Sequence, residues 1–357
     1  SNLPQRSLDA KSYHWPSRMD LLRADGTSVS AGIQKARGTQ MKIFNAEPES
    51  YSPEARAILE ELGEVVEAEC TRAELLAQVA DSNVLIVRLK HMIDAEVLNH
   101  ARSLRVIVSA TTGLNHIDVA AAQARNIIVL CLKGEREFLD SITATAEHTW
   151  GLLLALVRHI PAAVQHVRDA GWDRDLFKGR QLSGLTLGIV GHGRLGAMVA
   201  EYGRVFRMRV VAHDIEPVEH ANHVEMLALP ELLACSDVVC LLPSYQESSR
   251  QLMGRREFDQ MKEGAVLLNT SRGEVIDEVA LLQVLRSGSL AGAALDVLVD
   301  EAKRGGDWLH NHPLVEFARS SDRLLITPHT GGATHDSLRQ AETFMARKLA
   351  VYFTRDA

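Results

Sequence analysis

Aromatic residues make up only 5% of this 357-residue chain, and cysteine is scarcer still, with four thiols. Cys70, Cys131, Cys235 and Cys240 show neither CxxC spacing nor the density of a disulfide scaffold, so a reducing, cytoplasmic compartment is expected. Long hydrophobic runs are missing too. The longest, WGLLLALV, is far too short to span a bilayer, and the N-terminus has no signal-peptide pattern, so no membrane is expected as a partner. Blocks of lysine and arginine are absent, and the net charge of −7 is spread over interspersed signs. That composition argues against nucleic acid as a partner. Fifteen histidines are present, yet none forms HExxH or pairs with cysteine at zinc-finger spacing. The "HNH" at 310–312 precedes a proline and reads as a polar loop, so no metal site is expected.

What remains is an ordinary globular composition, 46% hydrophobic and 24% charged, in a chain longer than one core usually supports. Residues 1–40 are polar and aperiodic, an extension with Trp15, Leu21 and Leu22 as candidate anchors on this chain or on a second subunit. From Met41 the pattern becomes regular. "MKIFNAE" reads as a strand, and "SPEARAILEEL" as a helix with Ser52 as N-cap and Pro53 in its first turn. "EVVEAE" is a strand, and "TRAELLAQVA" a helix opened by a Thr71–Glu74 capping box. The alternation continues through "NVLIVR", "DAEVLNHA", "LRVIVSA", "DVAAAQAR" and "IIVLCL". A long helix over roughly 145–170, with Pro161 inside it, then interrupts. After Gly184 the rhythm restarts with "LTLGIVG", "RVVAHD", "DVVCLLP", "AVLLNTS", "LAGAALDVL" and "RLLITPH". Short apolar strands alternating with helices imply parallel sheets covered on both faces, and two such series imply two doubly wound α/β domains with a ligand cleft between them.

The restart carries GIVGHGRLG, in which Gly191, Gly193 and Gly196 form GxGxxG between a strand and a helix. The first glycine permits the tight turn, the second lets backbone approach a pyrophosphate, and the third allows close helix–strand packing. The next strand ends at Asp214, where a carboxylate accepts from a ribose 2′-hydroxyl and repels a 2′-phosphate, which favours NAD. Three further stretches fall at strand ends. "LLNTSRGEVIDEVAL" offers the planar fork of Arg272, "GAALDVLVDEA" offers Asp296 and Glu301, and "ITPHTGG" offers His329. A guanidinium, a carboxylate and an imidazole beside a nicotinamide point to hydride transfer at a carbon bearing oxygen.

In this order and spacing, GIVGHGRLG, MKEGAVLLNTSRGEVIDEVAL, GAALDVLVDE and ITPHTGG resemble the D-isomer-specific 2-hydroxyacid dehydrogenase family, from about Met41 to the C-terminus. The resemblance implies a Rossmann NAD-binding domain over 144–329. It also implies a flavodoxin-like substrate domain over 41–143 completed by 330–357, with the cleft between the two. It implies NAD-dependent exchange of a hydride with C2 of a small 2-oxo or D-2-hydroxy acid, cleft closure, and a homodimer built through the NAD-binding domain. Arg272 would bind the substrate carboxylate, His329 would act as acid/base, and Glu301 would pair with that imidazole and fix its tautomer. The cofactor would be held by Gly191, Gly193, Arg194, Leu195, Gly196, Asp214, Pro243, Thr270, Asp296 and Gly331, with Asp296 on the carboxamide. Backbone N–H groups of two loops would grip the substrate, "VRLKH" (Arg88, Leu89, Lys90) and "SATTGLNHID" (Thr112, Gly113), with Lys90 and His91 placed to meet an extra negative charge such as a phosphate.

The chain departs from the family pattern in several places. "RxGxGxDNID" appears as SATTGLNHID, with Ser109 for a common arginine and Thr111 for a glycine. Leu242 precedes Pro243 where a histidine is common, and Ala302 replaces a proline in "DVFxxEP". Formate dehydrogenases have a comparable N-terminal arm but carry glutamine where this chain has Glu301. Two other readings stay open: an NAD(H)-sensing, co-repressor-like binding protein with little turnover, and a same-fold enzyme acting on a non-carboxylate anion such as phosphite.

Overall fold

The computed structural model describes residues 41–216, 224–301 and 307–355; the readings made on residues 1–40 and on Ala302 lie outside these. Two parallel sheets organise the chain. In the first, β1 (Lys42–Asn45), β2 (Glu64–Glu67), β3 (Val84–Val87), β4 (Val106–Ser109) and β5 (Ile128–Leu130) are ordered β2-β1-β3-β4-β5. The second contains β6 (Thr186–Val190), β7 (Arg209–His213), β8 (Glu225–Met226), β9 (Val238–Leu241), β10 (Ala265–Asn269), β11 (Leu290–Leu295) and β12 (Leu324–Ile326). Its order is β12-β11-β10-β9-β6-β7-β8. The first is the flavodoxin-like order and the second the Rossmann order. Each reverses direction once, between β1 and β3 and between β6 and β9, and such switch points open crevices at the carboxyl ends of strands.

Local chemistry starts the helices where the sequence reading places them. The Ser52 hydroxyl accepts from Ala55 N at 3.2 Å to open helix Pro53–Leu62, and Thr71 and Glu74 form a reciprocal capping box on helix Arg72–Val79. β3, β4 and β9 are buried along their whole length, as strands covered on both faces must be.

The helix expected over 145–170 is two helices, Ala144–Val157 and Ile160–Arg168. Pro161 lies in the first turn of the second. Its missing N–H and its ring, which would meet the carbonyl of Val157, prevent one continuous helix. His159 takes φ +51° to turn the corner.

The last helix, His335–Arg355, returns to the first sheet, where Ala341, Met345, Ala346 and Leu349 join Ile43, Leu59, Val84 and Val106 in one core. Buried Glu342 accepts from Ser52 N at 2.7 Å and faces Arg88 Nη1 at 3.4 Å, while buried Lys348 donates to Glu135 at 2.6 Å and to Cys131 O at 2.9 Å. These polar ties between distant parts of the chain are satisfied on both sides, the condition under which buried charge is tolerated.

Candidate active site

The glycine loop lies at the β6/β9 switch point. Gly191 has φ +94°, and a Cβ there would lie 2.5 Å from Pro243 N and 2.6 Å from Leu242 C, so β6 and β9 approach each other closely only because this residue has no side chain. A Cβ on Gly196 would lie 2.3 Å from Gly191 O, the tight helix–strand contact foreseen for the third glycine. Gly193 differs: a Cβ there meets nothing within 4 Å. It borders open space at the N-terminus of helix Arg194–Val205, where the N–H groups of Arg194 and Leu195 have no intrahelical acceptor. Asp214 Oδ2 accepts from His192 N at 2.7 Å, which joins the end of β7 to the loop. The residues therefore fit a dinucleotide, with a donor-rich helix end, room at the second glycine and a carboxylate beside it. The Arg194 side chain goes elsewhere and donates to the carbonyls of Leu139 and Ile142 at 2.8 and 2.6 Å. Thr270 is also committed, its hydroxyl 2.6 Å from that of Thr149 inside the domain.

Arg272, Glu301 and His329 follow β10, β11 and β12, three adjacent strands. His329 Nδ1 and Glu301 Oε1 share a short hydrogen bond, and Leu298 N donates to Glu301 Oε2 at 3.0 Å. No partner among the described residues bonds His329 Nε2, and the ring is 28% exposed. The half-buried Arg272 guanidinium rests on Gly113 of the first domain so closely that a Cβ there would lie 1.8 Å from Nη2. Burial pushes the guanidinium below its usual range, and the carboxylates of Glu301 and Glu274 oppose that shift. Asn269 Nδ2 donates to Arg272 O at 2.9 Å and fixes the turn that presents the fork.

The turn carrying the imidazole is held by Asp296. Its Oδ1 accepts from Thr327 Oγ1 at 2.6 Å and from Thr330 N at 2.8 Å, while Oδ2 accepts from Gly331 N at 2.8 Å. His148 Nε2 stands 3.2 Å from the same carboxylate and 3.0 Å from Thr327 Oγ1. His329 itself adopts φ +54°, a left-handed conformation that costs a side-chain-bearing residue about 1–2 kcal/mol. Charged hydrogen bonds are worth roughly 1.5–3 kcal/mol each, so the clamp outweighs that cost. The sequence reading assigned Asp296 to the nicotinamide carboxamide and missed this role. Oδ2, with one bond, keeps acceptor capacity for a second.

Several other contributors were also missed. Glu278 accepts from Val299 N at 2.8 Å and faces His312 Nε2 at 3.3 Å, which braces the turn bearing Glu301. Buried Ser109 and His116 form a relay with half-buried Thr111: Ser109 Oγ lies 3.2 Å from His116 Nε2 and 2.8 Å from Thr111 Oγ1, and Thr111 donates to Gly113 O at 2.8 Å. The two departures from the family pattern thus support the loop on which Arg272 rests. Among the substrate-loop candidates, Thr112 and Leu89 are exposed. The Arg88 guanidinium is occupied by the carbonyls of Glu47 and Glu49, and Lys90 pairs with Glu69.

A family model described as D-isomer specific 2-hydroxyacid dehydrogenase, NAD binding domain, matches residues 150–331. The chain belongs to that family. Its similarity to the D-3-phosphoglycerate dehydrogenase of Methanocaldococcus jannaschii is 35% identity, over 87% of this chain and 57% of that protein. The rat D-3-phosphoglycerate dehydrogenase is also 35% identical, over 85% and 55%. The chain therefore spans little more than half the length of these relatives. Among solved structures, the TT0316 protein of Thermus thermophilus superposes with a TM-score of 0.74 at 34% identity, covering 86% of this chain and 94% of that one. The D-lactate dehydrogenase of Aquifex aeolicus, complexed with NAD and lactic acid, superposes at 0.76 with 26% identity, over 88% and 96%. No helix among the described residues of this 2-hydroxyacid dehydrogenase relative is long and apolar enough to cross a membrane.

Two predictions follow from these contacts. Gly193→Ala adds a Cβ that meets nothing within 4 Å and should shift the unfolding midpoint little, while weakening NADH binding at least tenfold, about 1.4 kcal/mol. Fluorescence titration with NADH reads the effect, and unchanged affinity would remove Gly193 from the cofactor site. Burial, reinforced by Arg272, pushes the His116 imidazole down to about 4. The unfolded chain takes up that proton near pH 6.5, so the stability conferred above that pH is lost as pH falls towards 4, by about 3 kcal/mol at most. His116→Asn should flatten this limb in denaturation midpoints measured from pH 7 to 4.

Proposed function

We propose that this chain is an NAD-dependent dehydrogenase that interconverts small 2-oxo acids and D-2-hydroxy acids in a reducing, cytoplasmic setting. The observation that carries the reading is the His329–Glu301 pair, with Nε2 left open, beside the Arg272 fork at the ends of three adjacent strands. Bound NAD(H) supplies or accepts the hydride. Arg272 offers parallel N–H donors to the substrate carboxylate and the C2 oxygen, a geometry that a point charge does not reproduce. In the reductive direction His329 Nε2 gives its proton to the oxygen on C2, and in the oxidative direction it takes the hydroxyl proton back. Glu301 on Nδ1 keeps Nε2 as the exchanging nitrogen and balances the imidazolium. Gly113 on one domain and Arg272 on the other border the same space, so domain closure over substrate would exclude water.

His329→Ala and Arg272→Ala should each lower kcat/KM for 2-oxo acids by about a thousandfold or more, with unfolding midpoints retained. Near-normal turnover in His329→Ala would end this reading.

The partner is a second copy of the chain. Helix Ile160–Arg168 of the NAD-binding domain leaves Ile160, Val164 and Val167 exposed on one face, with Trp172 and Leu176 exposed just beyond. This is the domain through which the family resemblance implies dimers, and such an apolar face marks a protein interface. Sedimentation should give a dimer for the native chain and a monomer for Val164→Glu/Val167→Glu; a native monomer would contradict the assignment.

A further inference from the structure

The two switch points of this molecule are built oppositely. At β6/β9 a glycine leaves space, whereas at β1/β3 the chain fills the crevice with its own anion. Backbone N–H groups of Arg88, Leu89 and Lys90 converge just beyond β3, and all three donate to the Glu47 carboxylate: Arg88 N at 2.9 Å and Lys90 N at 3.2 Å to Oε1, and Leu89 N at 3.2 Å to Oε2. Glu47 follows β1 and is 5% exposed. Converging N–H groups of this kind form an anion cradle, and here the anion comes from the protein.

The cations on the same loop are matched by acids. The Arg88 guanidinium donates to Glu47 O at 2.9 Å and Glu49 O at 2.8 Å and faces Glu342 at 3.4 Å. Lys90 pairs with Glu69. His91 is buried with its ring 3.6 Å from Cys70 Sγ. Counting Arg88 and Lys90 against Glu47, Glu69 and Glu342 gives a formal charge of −1 (two positive, three negative). Burial pushes the Glu342 carboxyl up, and its protonation would bring the sum only to zero. The exposed Lys90–Glu69 pair is screened by solvent and weak, so Lys90 can leave it, but Glu69 stays beside whatever Lys90 meets. This loop is tied to the one that carries Gly113 by Ile93 N to His116 O at 2.7 Å and Asp118 N to Ile93 O at 2.9 Å. It is thereby joined, through His116 and Asp118, to the segment whose Gly113 the Arg272 guanidinium touches.

We infer that the substrate is a 2-oxo or 2-hydroxy monocarboxylate with an uncharged side chain, and that Glu47, seated in the β1/β3 cradle, and Glu69 act against substrates carrying a terminal phosphate. The inference rests on the proposed dehydrogenase reading and gives its site a substrate class different from that named for the phosphoglycerate dehydrogenases it resembles. Arg272 alone then meets the substrate's one carboxylate, and a phosphate dianion is repelled.

The test compares ligand pairs that differ only by the phosphate. With NADH, kcat/KM for hydroxypyruvate should exceed that for 3-phosphohydroxypyruvate at least tenfold. In Glu69→Gln, which leaves Lys90 free, the ratio should shrink severalfold through a gain on the phosphorylated substrate alone. Equal or better use of 3-phosphohydroxypyruvate by the native chain would overturn the inference. A parallel titration of the NAD-bound protein with D-glycerate and D-3-phosphoglycerate needs no turnover. Preference for D-glycerate without turnover of any 2-oxo acid would keep the substrate class and overturn the dehydrogenase reading. Failure to bind either would overturn both.

Discussion

The Asp296 carboxylate is the constraint on which the rest of the site depends. One buried acid at the end of β11 gathers Thr327, Thr330 and Gly331 around itself. It thereby holds His329 in a backbone conformation that its side chain disfavours. From that conformation the imidazole meets Glu301. Since Asp296 and Glu301 belong to the same strand end and its following turn, β11 orients both the histidine's backbone and its ring. Few groups thus do several jobs each.

Around that centre the molecule repeats one architectural theme with opposite endings. Both sheets are parallel and doubly wound, and both reverse strand order once. In the second sheet Gly191 lets the strand ends close up, while Gly193 borders open space at a helix N-terminus. In the first the N–H groups just beyond β3 close on Glu47. N–H donors beyond β6 border open space, whereas those beyond β3 are neutralised by an internal anion.

The two domains are coupled by contacts remote in sequence. The chain leaves the second sheet after β12, and its last helix carries Glu342 and Lys348 back to the first sheet. Arg194, at the start of the glycine-loop helix, anchors on the carbonyls of Leu139 and Ile142. Arg272 rests on Gly113. Movement of one domain against the other therefore displaces the fork and the loop it touches.

The sequence by itself determined whatever depends on neighbours a few residues apart. The strand–helix alternation, the Ser52 and Thr71 caps, GxGxxG after β6, and the strand-end positions of Arg272, Glu301 and His329 all follow from periodicity, backbone freedom and turn chemistry. The helix break at Pro161 was equally local, though the apolar periodicity on both sides masked it. Only the tertiary structure decided which acid meets which donor. Glu47 and Arg88 lie 41 residues apart, Asp296 and Gly331 lie 35 apart, and Arg88 and Glu342 lie 254 apart. No spacing rule connects such residues. Charge and hydrogen-bonding capacity are properties of a residue, but whether they face a ligand or are satisfied internally depends on which strands the sheet places side by side.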